Sequence, residues 1–134
     1  MIIIDLEWNS GSDYSDFDEI LQIGAVRISA LGGCILDTFN IYVKPQVNTT
    51  LHPAAAKLPE LQRSFSDGAC FPVAYLKFRE WAWHEKDYAA WGADDFRVLQ
   101  QNVLFWNLPP LSIRAAFNLQ CGFGQHLGTA AQIA

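Results

Sequence analysis

Two carboxylates stand two residues apart near the start of the chain, in the run MIIIDLEWN. The apolar residues before Asp5 indicate a buried strand, and positions i and i+2 of a strand point to the same face. Asp5 and Glu7 would therefore lie side by side, which a partly dry site tolerates only if they share a proton or bind a cation such as Mg²⁺ or Mn²⁺. The alternative is that Asp5 ends the strand and Glu7 is solvated in a loop, because short motifs also occur by chance.

A second acidic pair, Asp94 and Asp95, stands in WGADD, where a predicted strand turns into a predicted helix. One of the two is expected to be the helix N-cap. The other would be free at a strand end, which is where open sheets place their binding sites. The alternative is an ordinary solvated acid of the first turn, favoured by the helix dipole.

A mixed α/β domain would bring these acids together. Apolar patterns predict strands at Met1 to Glu7, Glu19 to Ser29, Cys34 to Val43, Tyr88 to Gly92 and Ser112 to Phe117. They predict helices at Pro53 to Phe65, at Phe71 to Trp83 and from Asp94 or Asp95 onward, with Asn118 or Thr129 capping short terminal helices. The turn LGG makes the second and third strands an antiparallel hairpin, beside which the first strand would pair.

Length and composition narrow the possible functions. The 134 residues fit one domain, residues 1–134. A formal net charge of -5 excludes binding to nucleic acid through a broad cationic surface, so metal ions or a local basic rim would have to contribute. Three scattered cysteines argue against a disulfide framework and favour a reducing cytoplasm. The first residues resemble neither a signal peptide nor a membrane span.

Several segments, taken in order, resemble the DEDD superfamily of 3′–5′ exonucleases. They are IIIDLEWN, EILQIGAV, FNIYVKP, WGADDFRVL and FNLQCGFG. The chain is most similar to the histidine-containing DEDDh branch, which includes RNase T, the DnaQ proofreading subunit and the KapD-type and Eri-type RNases. The resemblance implies an α/β fold of the RNase H-like class: a mixed β-sheet, with an antiparallel hairpin plus parallel strands, flanked by helices.

The resemblance also implies the chemistry. Asp5, Glu7 and Asp95, rather than Asp94, would be the catalytic metal ligands. Family members hold two divalent ions, Mg²⁺ or Mn²⁺, between such acids; one activates water for in-line attack and the other stabilises the leaving 3′ oxygen. The implied substrate is the 3′ end of RNA or of single-stranded DNA.

Three further residues are predicted to contact that substrate. Backbone groups near Leu6 and Trp8, and the Trp8 ring itself, would suit the sugar and base of the terminal nucleotide. Arg97, on the helix after the acidic pair, is the best-placed phosphate contact among the basic residues. The alternatives are a core role for the tryptophan and a solvated surface charge for the arginine.

The sequence departs from the family at its third motif, a histidine general base followed five residues later by an acid. His126 is followed at that spacing by Ala131, and residues 96–134 contain no Asp or Glu. We therefore expect a C-terminally incomplete fold, one ion rather than two, with Asp94 or Glu19 as supplementary ligands, and impaired activity. His126 is either a replacement base or, more ordinarily, a surface or capping residue; His52 and His84 are assigned no role.

A missing helix would leave apolar side chains exposed, and self-association into a homo-oligomer would cover them. The residues concerned are Leu104, Phe105, Ile113 and Phe117. Two other functions compete with the nuclease: a catalytically inactive relative that binds nucleic-acid ends or a protein partner, and a plain α/β domain whose acids are caps and loop charges.

Overall fold

A computed structural model describes residues 1–11, 16–48 and 50–121. The strands are β1 (Ile2–Asn9), β2 (Glu19–Ile28), β3 (Ile35–Tyr42), β4 (Asp87–Ala90) and β5 (Ala115–Asn118). They form one sheet in the order β3-β2-β1-β4-β5. Strand β2 is antiparallel to β1 and β3, whereas β4 is parallel to β1 and to β5. The sheet is therefore the predicted combination of an antiparallel hairpin and parallel strands.

Strand β1 is central because one of its faces is almost wholly apolar. Ile2, Ile4 and Leu6 are buried on that face, and β1 lies between β2 and β4 in the sheet. The strand extends two residues beyond the predicted end at Glu7, since Trp8 and Asn9 still pair with β2 after a register shift. Sequence hydrophobicity does not reveal this extension, because the pairing is made by backbone groups.

Helices follow the hairpin and also strand β4. They are α1 (Pro53–Ala56), α2 (Gln62–Asp67), α3 (Phe71–Trp81) and α4 (Asp94–Phe105). The prediction of one helix from Pro53 to Phe65 is wrong, because a 3-10 turn at Pro59–Leu61 separates α1 from α2. Proline disfavours helical geometry in the residue before it, and Leu58 accordingly adopts an extended conformation with φ -102° and ψ 101°.

Several predicted boundaries are confirmed to within a few residues. The tight turn contains Gly32 and Gly33, both with positive φ, a conformation that glycine adopts at no steric cost. The last strand, Ala115–Asn118, begins three residues later than predicted. Asn118 is confirmed as a cap, since its Oδ1 accepts a hydrogen bond from the Cys121 N–H at 3.1 Å. Thr129 and His126 lie outside the described residues.

Helices α3 and α4 supply most of the remaining core. Tyr75 and Phe78 of α3 and Val98 of α4 are fully buried in one apolar cluster with β1. Asn102, also buried, fixes α4 to the start of β2: its Oδ1 accepts from the Ile20 N–H at 3.1 Å and its Nδ2 donates to the Asp18 carbonyl at 2.8 Å. None of the helices in the described part of the chain is long and apolar enough to cross a membrane.

The four apolar side chains predicted to be exposed are exposed. Their exposed fractions are Leu104 69%, Phe105 52%, Ile113 40% and Phe117 47%. Phe105 is partly covered by Phe17, whose ring stacks on it with centroids 4.4 Å apart. Self-association through these side chains stays a prediction.

Candidate metal centre

Asp5 and Glu7 lie on the same face of β1. The neighbours that point the other way, Ile4 and Leu6, are buried at 2% and 3% exposure, whereas Asp5 is exposed and Glu7 is half-buried. The strand alternation predicted from the sequence is thus confirmed. The apolar face of β1 fixes the backbone, so the two carboxylates are presented from a rigid element.

Asp95 reaches the same strand from helix α4. Its Oδ2 accepts a hydrogen bond from the Leu6 N–H at 2.9 Å. Strand β4 pairs with β1 only at Ile2 and Ile3, so beyond those residues β1 has N–H groups without a strand partner on that side. The carboxylate satisfies one of these groups, and it places Asp95 beside the residue that separates Asp5 from Glu7.

The prediction that Asp94 or Asp95 is the N-cap is wrong. The N-cap residue is Ala93, which makes no side-chain capping bond, and both acids lie in the first turn of α4. Asp94 is exposed and its carboxylate pairs with Arg97 at 3.4 Å. The two adjacent acids are therefore distinguished by their partners: Asp94 faces an arginine and Asp95 faces strand β1. This division agrees with the choice of Asp95 by family resemblance.

Crowding of the acids is visible in their pKa values. The pKa of Glu7 is raised above its usual value, first by burial and then by the charges of Asp5, Asp95 and Glu60. Burial likewise raises the pKa of Asp95, and the nearby Asp5 charge adds to the effect, while the Leu6 N–H opposes it. Like charges in a partly desolvated site disfavour ionisation, and a bound cation relieves that cost.

No cation of the protein relieves this crowding within the described part of the chain. The ion pairs there involve Asp18, Glu85, Asp87 and Asp94, and none involves Asp5, Glu7 or Asp95. In the same ranges, no three His, Cys, Asp or Glu side chains are grouped so that they could hold a metal ion together. The three acids thus lie within electrostatic range of one another, but their side chains do not form a closed coordination shell.

The donor set nevertheless fits a hard divalent cation. All three groups supply carboxylate oxygens, the ligands that Mg²⁺ and Mn²⁺ prefer. Two of the three, Glu7 and Asp95, have raised pKa values, first because burial disfavours the ionised form and then because neighbouring acids repel it. Glu7 is half-buried and its long side chain has the rotamer freedom needed to approach the other two.

Two buried polar side chains hold the loop that follows β3 against this end of the sheet. Glu19 accepts hydrogen bonds through Oε2 from the Gln46 and Val47 N–H groups, at 2.6 and 2.9 Å, and through Oε1 from Asn48 at 2.8 Å. Asn9 accepts from the His52 N–H at 2.6 Å and donates to the Thr50 carbonyl at 3.0 Å. Glu19 is therefore committed to the loop backbone and is not placed as a supplementary ligand.

The predicted substrate contacts are placed as follows. Trp8 is partly buried and packs against the core cluster, and the Leu6 N–H is used by Asp95. Arg97 is half-exposed and forms ion pairs with Asp18 at 3.2 Å and with Asp94. A phosphate would have to compete with these two acids for Arg97, so its role stays a prediction.

Two histidines in the described part of the chain also have clear positions. His52 is the N-cap of α1, and its Nδ1 accepts from the Ala54 N–H at 3.2 Å. This bond leaves the proton on Nε2 in the neutral ring. His84 lies at the other end of the molecule, in the turn that precedes β4.

Sequence reasoning did not identify Glu60. This exposed acid lies in the 3-10 turn at Pro59–Leu61, and its charge contributes to the raised pKa of Glu7. Leu61, which is buried against Leu21 and Ala55, fixes the turn there. Nothing in the sequence pattern could have linked positions 7 and 60, because the link depends on the break in the helix at Pro59.

Comparisons with known proteins rest on structure. No protein-family model matches the chain, and neither does any curated protein sequence. The structure is similar to the nuclease domain of 3′hExo, a DEDDh family member solved bound to rAMP, with TM-score 0.82 and 22% identity over 99% of this chain and 73% of that chain. It is also similar to cell-death related nuclease 4 (CRN-4), with TM-score 0.77 and 24% identity over 95% of this chain and 48% of that chain.

A third neighbour is a 3′-exonuclease solved in a study of 3′-end-specific recognition of a histone mRNA stem-loop. Its TM-score is 0.80 at 21% identity, over 99% of this chain and 65% of that chain. This chain thus spans about half to three quarters of the length of these neighbours. At such identities the likeness establishes the fold: the chain has the RNase H-like exonuclease fold of DEDDh nuclease domains.

Proposed function

We propose that this protein is a metal-dependent 3′–5′ exonuclease that hydrolyses terminal phosphodiesters of RNA or single-stranded DNA. The observation that carries the proposal is the hydrogen bond from the Leu6 N–H to Asp95 Oδ2. It attaches the acid of α4 to the backbone between Asp5 and Glu7, so three carboxylates from two elements lie within electrostatic range of one another at β1. The fold of the neighbours, which are 3′-exonucleases and other nucleases, supports the same conclusion.

Asp5, Glu7 and Asp95 would hold the divalent cation. When bound, Mg²⁺ or Mn²⁺ supplies a water of lowered pKa and a positive charge for the phosphoryl and leaving oxygens. The protein contributes orientation: β1 presents two acids on one face, and the Leu6 N–H fixes one oxygen of the third. Glu60 is the additional acid within range of Glu7.

We further propose that the activity of the 134-residue form is low. Within the described residues, no histidine makes a hydrogen bond or ion pair with the three carboxylates, and the Nδ1 of His52 is occupied by the Ala54 N–H. A general base typically contributes about 10²- to 10⁴-fold to a proton-transfer step. As far as the described residues go, turnover would therefore depend on the metal-activated water without help from a histidine.

A nuclease assay with Asp5→Asn and the matched control Asp94→Asn tests the proposal. The substrates are single-stranded RNA and DNA labelled at the 5′ end, with Mn²⁺ present. We expect stepwise shortening from the 3′ end. The rate should fall at least about a hundredfold in Asp5→Asn, which corresponds to a loss of about 2.7 kcal/mol or more of transition-state stabilisation, because the metal is lost. The rate should change little in Asp94→Asn. Equal rates for wild type and Asp5→Asn would show that the activity is a contaminant and would overturn the proposal.

The second candidate is a catalytically silent protein that binds nucleic-acid ends. It is favoured by the open arrangement of the carboxylates, which do not form a closed metal site in the described part of the chain. Binding of a 3′-terminal strand that persists in EDTA and in Asp5→Asn, without any hydrolysis in Mn²⁺, would support this candidate over the nuclease. Loss of binding in EDTA would argue against it.

A further inference from the structure

A concave site lies at the end of the sheet opposite the carboxylates. It is a cavity of about 240 Å³, formed where α3 ends, where β4 begins and before β5. Its lining, called here the basal pocket, consists of Arg79, Ala82, Trp83, His84, Glu85, Lys86, Tyr88, Leu111 and Ser112. Tyr88 is level with Ile2 of β1, so at about 3.3 Å per residue the basal pocket is about 16 Å from Glu7 along the strand.

The basal pocket collects cationic groups that have no carboxylate partner. Among the described residues, the arginines in ion pairs are Arg27, Arg97 and Arg114. Arg79 and Lys86 have no acid within 4 Å in those ranges, and His84 lies between them along the chain. In a protein of net charge -5, two unpaired cations around one cavity are a local excess of positive charge.

The acid in the lining does not cancel this charge. Glu85 is bonded to the Met1 amino group at 3.1 Å and lies 3.5 Å from Arg27. Its charge is therefore compensated by the Met1 amino group and Arg27, which do not line the cavity. The cations at the rim remain available to a ligand.

Both cations are held in place. The Lys86 Nζ donates to Ser112 Oγ at 2.9 Å, which leaves two N–H donors of the ammonium for another acceptor. The Arg79 guanidinium lies over the Trp83 ring, 5.4 Å from its centroid. The backbone N–H of Arg114 donates a hydrogen bond to the Lys86 carbonyl at 2.7 Å. This bond connects the segments before β4 and before β5, which line the two sides of the cavity. Preorganised donors lose little entropy when they bind a ligand.

We propose that the basal pocket binds a phosphate group, with Arg79 and Lys86 as its ligands and the apolar lining accommodating the attached nucleoside. Arginine and lysine are the usual phosphate-binding side chains, and a cavity of about 240 Å³ has room for a single nucleotide at most. This site is separate from the proposed nuclease centre. The phosphate can come from a free nucleotide or from the backbone of a strand.

Binding is measured by calorimetry and by heteronuclear NMR, in EDTA and in the Asp5→Asn background, so that no hydrolysis occurs and the outcome does not depend on the nuclease proposal. The probes are inorganic phosphate, AMP and a short single-stranded oligonucleotide. We expect saturable binding with shifts at the backbone of residues 82–88 and 111–112. Lys86→Ala and Arg79→Ala should each weaken it about tenfold, the effect of one charge-assisted hydrogen bond.

Lys86→Arg should retain binding, and Lys77→Ala, an exposed helix residue outside the cavity, is the matched control. Binding of phosphate and AMP supports the proposal and identifies a free nucleotide as the ligand source; binding of the oligonucleotide alone supports it and identifies a strand. Absence of saturable binding for every probe, or affinity unchanged in both alanine variants, overturns it. Thermal melting in the absence of ligand establishes that each variant is folded.

Discussion

The two ends of the sheet arrange their acids in opposite ways. Where β1 extends past β4, Asp5, Glu7 and Asp95 lie near one another, and no lysine or arginine of the described ranges pairs with them. Where β4 begins, Asp87 is bound by Arg114 at 2.6 Å and Glu85 is bound by Arg27. The same small sheet therefore holds compensated carboxylates at one end and uncompensated ones at the other.

The pKa values follow this difference. Burial and neighbouring acids raise the pKa of Glu7, whereas the Arg114 hydrogen bond lowers the pKa of Asp87. Arginine pairing is thus available to this fold, and at the carboxylate end Arg97 pairs with Asp18 and Asp94 rather than with the three candidate ligands. Raised acid pKa values at a strand end are typical of functional sites, because the repulsion can be relieved by a ligand. The comparison supports a site for an external cation rather than a set of structural charges.

The largest effect we predict is stabilisation by that cation. Titration of the protein with Mn²⁺ should raise its melting temperature, because a ligand of the folded state at a hundred times its Kd adds about 2.7 kcal/mol, or about 10 °C for a chain of this size. Asp95→Asn should lose the shift and Asp87→Asn should keep it. A shift of equal size in both variants would place the cation elsewhere and remove the contrast between the two ends.

The sequence sufficed to predict the sheet and its acids. The run of isoleucines before Asp5 identified the central strand, and the alternation along it placed Asp5 and Glu7 on one face; both follow from local periodicity. The glycine turn predicted the hairpin for the same reason. These features were readable because each is determined by residues adjacent in the chain.

The remaining features depend on contacts distant in sequence. Asp95 could be selected over Asp94 only by resemblance, because the distinction is a hydrogen bond to Leu6, 89 positions away. The proline rule predicts a break before Pro59, whereas the helical spacing of the apolar residues from Pro53 to Phe65 favours one continuous helix. The effect of Glu60 on Glu7 and the hydrogen bonds of Glu19 both depend on the position of the loop after β3. No local sequence pattern specifies that position.

The next largest effect is on the free energy of unfolding, which substitutions at the two ends of the sheet should change in opposite directions. Glu7→Gln should raise the stability of the metal-free protein by about 0.5 kcal/mol, the usual size of a like-charge interaction at a partly exposed site. Asp87→Asn should lower it, because the Arg114 ion pair is lost. Denaturant midpoints in EDTA measure both. If Glu7→Gln were destabilising, the crowding of the three carboxylates would be refuted.

The smallest effect is the pH dependence of these differences in stability. The folded-state pKa of Glu7 lies above its usual value of 4.5, so wild type and Glu7→Gln should be equally stable below pH 4.5. As the pH rises through 4.5 to the raised pKa, the unfolded chain ionises first and the wild type loses stability relative to Glu7→Gln. Above the raised pKa the difference is constant.

Asp87 should show the reverse dependence. Its folded-state pKa lies below the usual value of 3.8, so the stability it contributes is present above pH 3.8 and is lost as the pH falls through the lowered pKa. Denaturant midpoints of wild type, Glu7→Gln and Asp87→Asn, followed from acid to neutral pH in EDTA, should therefore coincide in acid and diverge on either side of wild type as the pH rises.

Added Mn²⁺ should reverse the order of wild type and Glu7→Gln, because a bound cation turns the crowded acids from a source of repulsion into ligands. It should leave the difference between wild type and Asp87→Asn unchanged, since that acid already has its cation in Arg114.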